Sequence, residues 1–511
     1  MTGSRPEAGR KPASPVLLIA TVALALLAVG GWMVTRAATP SSSAATTAAE
    51  AAASPAAERR DSSAAAGETA RIEDEPELAL AASVYSFPSS LIPAAQASAL
   101  LAAVRAADPE RELLALADPS QRQALAAATA PLRVRLLETR GGPYSPWPRD
   151  PFSFARTAAG AVRVVVRPNL QPGREADGDL GRELVQDLPA DLARAWGGVR
   201  WSVAAVPFHN GQVLLTHDAA WVTLHTFEPR ALQLLGVARV PVASFGTAAG
   251  VDAYVAAVGR AADELATLYG RPVRFVHPLP AASTASSTEA SAGVVVTATE
   301  LMRRIGGGAG YDLDSLVTFA PTRDGRAAAL VADLAAGQQL LADAPASELT
   351  ALAASYELAV GAGVRPALAA EATAAETRGA LASENGGPRG RALASFLDLV
   401  AEHLAAQGLR VARLPLLLVP TALLGDGADS RYPHFLLGWN NVVVETREGG
   451  VRAEGFAALL PSGDRRARAA FDALGVHLDL LPPLVESVVR NGGYRCASNH
   501  LRRPVPPRPG V

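Results

Sequence analysis

Short runs of β-forming residues alternate with longer amphipathic segments through most of this chain, and that alternation narrows its possible folds more than any other feature. AVRVVVRP from Ala161, RPVRFVHPL from Arg271, SLVTFAP from Ser315, RVARLPLLLVP from Arg410 and NNVVVET from Asn440 are of strand length and bounded by Gly, Pro or Asn. Ala94 to Ala107, Asp252 to Tyr269 and Arg391 to Ala406 instead repeat apolar residues near the helical period. Alternating strands and helices predict an α/β domain, while periodicity sets no strand order. Alanine-rich segments from Leu341 to Ala382 are expected to form surface or inserted helices. With aromatic residues at only 5%, the core has to be built mostly from Ala, Val and Leu.

The N-terminal part reads differently. Residues 1–14 carry Arg5, Arg10 and Lys11, and the uncharged run PVLLIATVALALLAVGGWMV follows within residues 15–35, ahead of Arg36. About twenty apolar residues span the hydrocarbon core of a bilayer as a helix, and the basic flank favours the cytoplasmic side. The alternative is a cleaved signal sequence, with Arg36-Ala37-Ala38 as a fair cleavage context. Residues 36–77 are mostly Ala, Ser, Thr, Glu and Pro without periodicity, too poor in apolar surface to offset the entropy of ordering, and read as a disordered linker. The expected organisation is a cytoplasmic segment at 1–14, a transmembrane anchor or signal at 15–35, a linker at 36–77 and an exported domain at 78–511, membrane-held or secreted. A net charge of −2 and the lack of a basic block argue against a nucleic-acid binder.

One cysteine serves the whole chain: Cys496, in NGGYRCASNHLRRP from Asn491 to Pro504. Alone, it forms no internal disulfide and fits either redox compartment. The neighbouring Arg495 guanidinium is expected to favour the thiolate, the nucleophilic form. The alternative is a buried cysteine acting as a small hydrophobe. Upstream, Asp150 lies in PYSPWPRDPFSFAR, a proline-stiffened turn in which a carboxylate either caps the backbone or meets a cationic group. Asp312 and Asp314 stand two apart in GGGAGYDLDSLVTFAP, and in an extended chain they point the same way. Like charges so placed need a cation, a proton or hydrogen bonds between them, unless the loop is simply solvated. No series of regularly spaced oxygen ligands marks a metal loop. Asn210-Gly211 suits a turn before a strand.

In their order and spacing these segments resemble the protein-arginine deiminases and the wider guanidino-group-modifying, or pentein, superfamily. WPRDPFSFAR is similar to the family's Trp-x-x-Asp segment, and YDLDSLVTFAP to its His-x-Asp segment followed by a strand. RYPHFLLGWNNVVVET, Arg431 to Thr446, resembles the strand pair before the nucleophile, and YRCASNHLRRP resembles the C-terminal nucleophile motif. The resemblance covers Pro143 to Pro504. It implies a pentein-type α/β propeller of five ββαβ pseudo-repeats around a central active site. It further implies hydrolysis of a guanidinium, arginine to citrulline plus ammonia, through a thiouronium on Cys496. Asp150 and Asp314 become the carboxylates that hold the guanidinium in a fork of hydrogen bonds, with Arg495 beside the substrate.

That chemistry requires no cofactor and no metal, and Ca2+ enters only through the animal enzymes of the family. Where the family carries histidine, two residues before the second aspartate, this chain has Asp312, which serves as acid/base only with a raised pKa. His209, in PFHNGQVLL, and His500 are the histidines best placed to substitute. A second family histidine, just before the cysteine, is replaced by Arg495. Expected partners are an arginine-containing protein or peptide, or a small guanidino compound, with the membrane reached through the N-terminal helix. Two other readings stay open: an amidinotransferase, and a pentein-like domain that binds arginine-containing ligands without turnover.

Overall fold

Residues 70–505 are described in the computed structural model, apart from 141–143, 169–173, 175, 205, 238–247, 279–311, 323–325, 359–368 and 425–433. The apolar run within residues 15–35 lies outside the described residues, as does the linker up to residue 69. Among the described residues, no helix is long and apolar enough to cross a membrane.

The β-forming runs of the sequence become strands of a mixed α/β fold with five small sheets. In each, two antiparallel strands are followed by a helical crossover and a third strand parallel to the second. Phe152–Thr157 and Val162–Val166 lead to Val199–Val203. Val213–Leu215 and Ala220–Val222 lead to Val273–Phe275. Val317–Pro321 and Ala327–Asp333 lead to Arg410–Pro420, and Val443–Arg447 with Gly450–Phe456 to Val476–Leu481. The fifth sheet joins distant parts of the chain: Ser498–Arg503 pairs antiparallel with Ala79–Phe87, which runs parallel to Glu112–Ala117. Strands of different sheets also touch, with Val213–Leu215 against Val317–Pro321, Val317–Pro321 against Val443–Arg447, and Val443–Arg447 against Ala79–Phe87.

Helix boundaries follow local chemistry. The helix Pro119–Thr129 starts where the Asp118 side chain accepts from the Gln121 amide and proline takes the first turn, where its missing N–H costs nothing. Asp333 caps Leu334–Asp343 in the same way, through the Ala336 amide. Ala94–Ala107 matches its expected range, and Ala248–Tyr269 and Pro388–Ala406 extend theirs at the N-terminal end. The alanine-rich helices Ala346–Ser355 and Ala369–Asn385 are not surface additions. Leu349, Leu352, Ala374 and Leu381 are fully buried or nearly so, in one cluster with Leu340, Leu417 and Phe435. Alanine lets these helices approach closely, and each large aliphatic side chain so buried contributes roughly 1.5–3 kcal/mol.

Two expectations give way here. Residues 70–77, assigned to the linker, belong to the fold: Ala70–Ile72 pairs with Phe152–Thr157, and Glu75 is buried against Arg271 at 2.5 Å. Charge pairing holds this stretch, so its low apolar content concealed it. Similarly, His434–Gly438 and Val443–Arg447 do not pair with each other; they join Arg410–Pro420 and Gly450–Phe456 in separate sheets.

Candidate active site

Cys496 is 3% exposed and lies just ahead of the strand Ser498–Arg503. Its turn is fixed on several sides. The Ala497 amide donates to the Gly493 carbonyl, the Ser498 hydroxyl to the Tyr494 carbonyl, and the Arg495 amide to the Asn441 carbonyl. Asn441, which no motif singled out, bonds to the thiol directly: its Nδ2 donates to Cys496 Sγ at 3.1 Å and to Asp314 Oδ1 at 2.8 Å, while its Oδ1 accepts from the Cys496 amide at 3.1 Å. A Cβ on Gly493 would overlap the Asn441 side chain, so this close approach requires glycine.

The thiol faces a carboxylate directly. Cys496 Sγ is 3.9 and 3.8 Å from the two Asp314 oxygens. Asp314 lies in the 3-10 turn Leu313–Ser315, with Asp312 the extended residue before it, so the pair does not share the extended segment that alternation implied. The turn nevertheless keeps them together. One ligand atom each from Asp312, Asp314 and Cys496 lie within 4.8 Å of one another, and so do one each from Asp150, His209 and Asp312. Asp312 belongs to both groups and links the buried thiol to a more open mouth formed with His209. Its Oδ1 accepts from Gln212 Nε2 at 2.8 Å. Asn210–Gln212 is itself a short 3-10 turn before Val213–Leu215, and a Cβ on Gly211 would overlap the Asp312 carboxylate.

Asp150, 4% exposed, sits at the end of the Trp147 turn, its amide donating to the Trp147 carbonyl. One of its oxygens, Oδ2, accepts from Arg174 Nη1 at 2.6 Å; the other, Oδ1, has no hydrogen-bond partner. Arg174 is boxed by Asp177 and Ser145 and lies 5.0 Å over the Trp147 ring. His209 Nδ1, 3.7 Å from Asp312 Oδ1, also lacks a hydrogen-bond partner, and so do Nε and Nη1 of Arg167. Buried polar atoms left unmatched are uncommon and mark places where a ligand or an ion completes the pairing.

Arg495 departs from its expected role. Its Nη1 donates to Asp314 Oδ2 at 2.7 Å and its Nη2 to Asp74 Oδ2 at 2.9 Å, with further bonds to the Asn210 and Val213 carbonyls. It pairs with the same Asp314 carboxylate that faces the thiol. Burial pushes the Cys496 thiol well above its ordinary pKa, and Asp314, Asp312 and Asp150 add to the effect. Burial likewise raises Asp314 to about 6 against the pull of Arg495, with Asp312 adding to the rise. Burial lowers His209 to about 4, which leaves the imidazole neutral at pH 7. At Asp150 burial acts upward, but Arg174, His209 and Arg167 hold the carboxyl below its usual range.

The structure thus brings together Cys496, Asp314, Asp312, Asp150 and His209. His500 lies elsewhere in function: its Nδ1 is 2.9 Å from Ser83 Oγ and its Nε2 2.8 Å from Ser498 Oγ, a buried tie between paired strands. Asp74 and Arg174, both in segments without a readable pattern, complete the surroundings. Calcium does not fit this donor set. It takes six to eight oxygens, and here each carboxylate cluster includes a nitrogen or sulfur while Asp150 and Asp314 are engaged by arginine.

No protein-family model matches the chain, and no curated protein matches it. Among solved structures it is similar to the C. jejuni agmatine deiminase, with a TM-score of 0.48 and 10% identity over 85% of this chain and 96% of that one. It is also similar to the agmatine deiminase of Enterococcus faecalis, with a TM-score of 0.44 and 11% identity over 85% and 96%. At such scores and identities the chemistry has to be argued from this chain's own side chains.

Proposed function

We propose that the protein hydrolyses a guanidinium group to a ureido group and ammonia, arginine to citrulline being the reaction expected, on a pentein-type scaffold of five ββαβ units. The observation that carries this reading is the convergence at Asp312, whose carboxylate lies within 4.8 Å of both the Asp314–Cys496 group and the Asp150–His209 group. A planar cation seated there meets carboxylate on several edges, with the thiol facing its carbon.

The resting thiol is protonated, which suits a substrate-triggered step. A guanidinium entering among Asp150, Asp312 and Asp314 neutralises the charges that raise the thiol pKa, and the thiolate becomes accessible only then. The thiol proton passes to neutral His209 or to a carboxylate, and sulfur adds to the guanidinium carbon. The tetrahedral adduct collapses as the leaving nitrogen takes a proton and departs as ammonia. Water, deprotonated by the same base, attacks the S-alkylthiouronium; the C–S bond breaks, the ureido product leaves and the thiol is restored. Positioned proton transfer of this kind contributes about 10²–10⁴-fold. Asp312, in the place of the family histidine, and His209 share the acid/base position.

The test is the full chain incubated with free arginine, agmatine and peptidyl arginine, with and without calcium, assayed for ureido product and ammonia. The reading predicts product from at least one, abolished in Cys496→Ala; no product from any of them sinks it. Guanidino product formed with an added amine acceptor, in place of ammonia, would instead identify an amidinotransferase. A ligand-binding module without turnover is favoured by one specific feature: Asp312 stands where the family carries its acid/base histidine. Arginine peptides that bind while a haloacetamidine fails to label Cys496 would establish that reading. Export and membrane anchoring through residues 15–35 are proposed on the sequence alone.

A further inference from the structure

At the mouth of the site Asp150, His209 and Asp312 bring two carboxylates and an imidazole together. Asp150 Oδ1 and His209 Nδ1 make no hydrogen bond, although Asp150 is 4% exposed. His209 Nδ1 is 3.7 Å from Asp312 Oδ1, and one ligand atom from each of the three residues lies within 4.8 Å of the other two. Zinc ligands sit at about 2 Å from the ion in tetrahedral array, hence ~3.3 Å apart, so closure on an ion needs shifts of several tenths of an ångström to about an ångström.

We propose that Asp150, His209 and Asp312 form a three-ligand site for a divalent transition metal of the zinc class, and that an ion there shuts the guanidinium out. One imidazole and two carboxylates suit zinc and are too few and too mixed for calcium. Two carboxylates also match the charge of a dication. Gln212 orients Asp312 from behind through its 2.8 Å hydrogen bond, and Arg174 engages only Oδ2 of Asp150, leaving Oδ1 for the ion. The Arg174 and Arg167 charges weaken the site without filling it. The exclusion half of the proposal rests on the hydrolase reading, because the ion would take the same Asp150 and Asp312 oxygens that receive the substrate.

The experiment titrates the full chain with Zn2+ by calorimetry and with Co2+ by visible absorption. Expected are one ion per chain, affinity at least tenfold weaker in both His209→Ala and Asp312→Asn, and affinity unchanged in Cys496→Ala. The Co2+ spectrum should lack a thiolate charge-transfer band. No binding overturns the proposal, as does binding indifferent to both substitutions in variants whose thermal unfolding matches the parent. Dependence on Cys496, or a thiolate band, moves the ion to the deeper Asp312–Asp314–Cys496 group and equally overturns it. Where turnover is found, Zn2+ should raise the apparent KM for the guanidino substrate and a chelator should reverse it; zinc bound without inhibition removes the exclusion. Binding in a chain that turns over nothing would sink the hydrolase reading while leaving the metal site standing.

Discussion

Two clusters of buried charge lie close together in this molecule, and they are built on opposite plans. Around Arg111 pairing is complete. Its guanidinium donates twice to Glu454 at 2.6 Å, to Asp108 at 2.9 Å and to Glu445 at 3.3 Å. Tyr494 donates to Glu454 at 2.9 Å and lies 2.8 Å from the Tyr85 hydroxyl, and Glu445 accepts from the Leu80 amide. None of these side chains leaves a buried polar atom unmatched. Around Asp150 and His209 such atoms remain. Complete pairing stabilises one conformation and gives a ligand nothing to bind; incomplete pairing costs stability and leaves valences that only a ligand satisfies. Tyr494, two residues before Cys496, joins the two plans, because the saturated cluster holds the turn that presents the thiol.

The comparison breaks most sharply at Cys496. Cys496→Ala should lower kcat by about 10⁴-fold or more while shifting unfolding stability by about 1 kcal/mol or less, measured by ureido formation and urea denaturation of the same preparation. Glu454→Gln should do the reverse in kind, destabilising the fold by about 3 kcal/mol, because Arg111 keeps its buried charge and loses the carboxylate that accepts two of its bonds, Asp108 and Glu445 remaining. If Glu454→Gln unfolds at the parental urea concentration, the saturated cluster is not structural and the contrast falls.

His277 sharpens it from a third setting, a neutral imidazole with ring centroids 5.9 Å from Phe275 and 6.4 Å from Phe396. Burial lowers its pKa from 6.5 to about 4. The unfolded chain therefore takes the proton first as pH falls. Stability is full above about pH 6.5 and declines toward pH 4, by about 3 kcal/mol at most. His277→Phe should flatten that part of the profile of unfolding free energy against pH; an unchanged slope would assign it to other groups. The smallest effect is expected at Gly211, where Ala would press on the Asp312 carboxylate: activity down about tenfold, with thermal unfolding nearly unchanged.

Much of the scaffold was legible because it rests on local pattern. The β-forming runs and amphipathic helices appear near their expected places, since period and turn residues act over a few positions. Cys496, Asp150, Asp312 and Asp314 could be singled out by residue type and spacing, and His209 only together with His500, as a substitute for the histidine that the family resemblance calls for. Asn441 could not, because its contacts to Cys496 and Asp314 join residues 55 and 127 positions away. Asp74 was hidden in a stretch held by ion pairs, and the partners of Arg495 were not legible because adjacency in sequence says little about where a long side chain reaches. Its guanidinium runs to Asp314 and Asp74, which lie 181 and 421 positions away in sequence.

The strand pairing of Ser498–Arg503 with Ala79–Phe87 also imposes an order in time. Ser83 and His500, bonded across that pair, are 417 positions apart. During synthesis, Ala79–Phe87 has its parallel neighbour long before its antiparallel one exists, so one edge of that sheet waits open while four further sheets form. Cys496 takes its place beside Asp314 only after residues 498–503 have been made and have returned to that edge. The reactive group is thus assembled by the same late event that closes the fold, and a nascent chain holds no formed site to misfire.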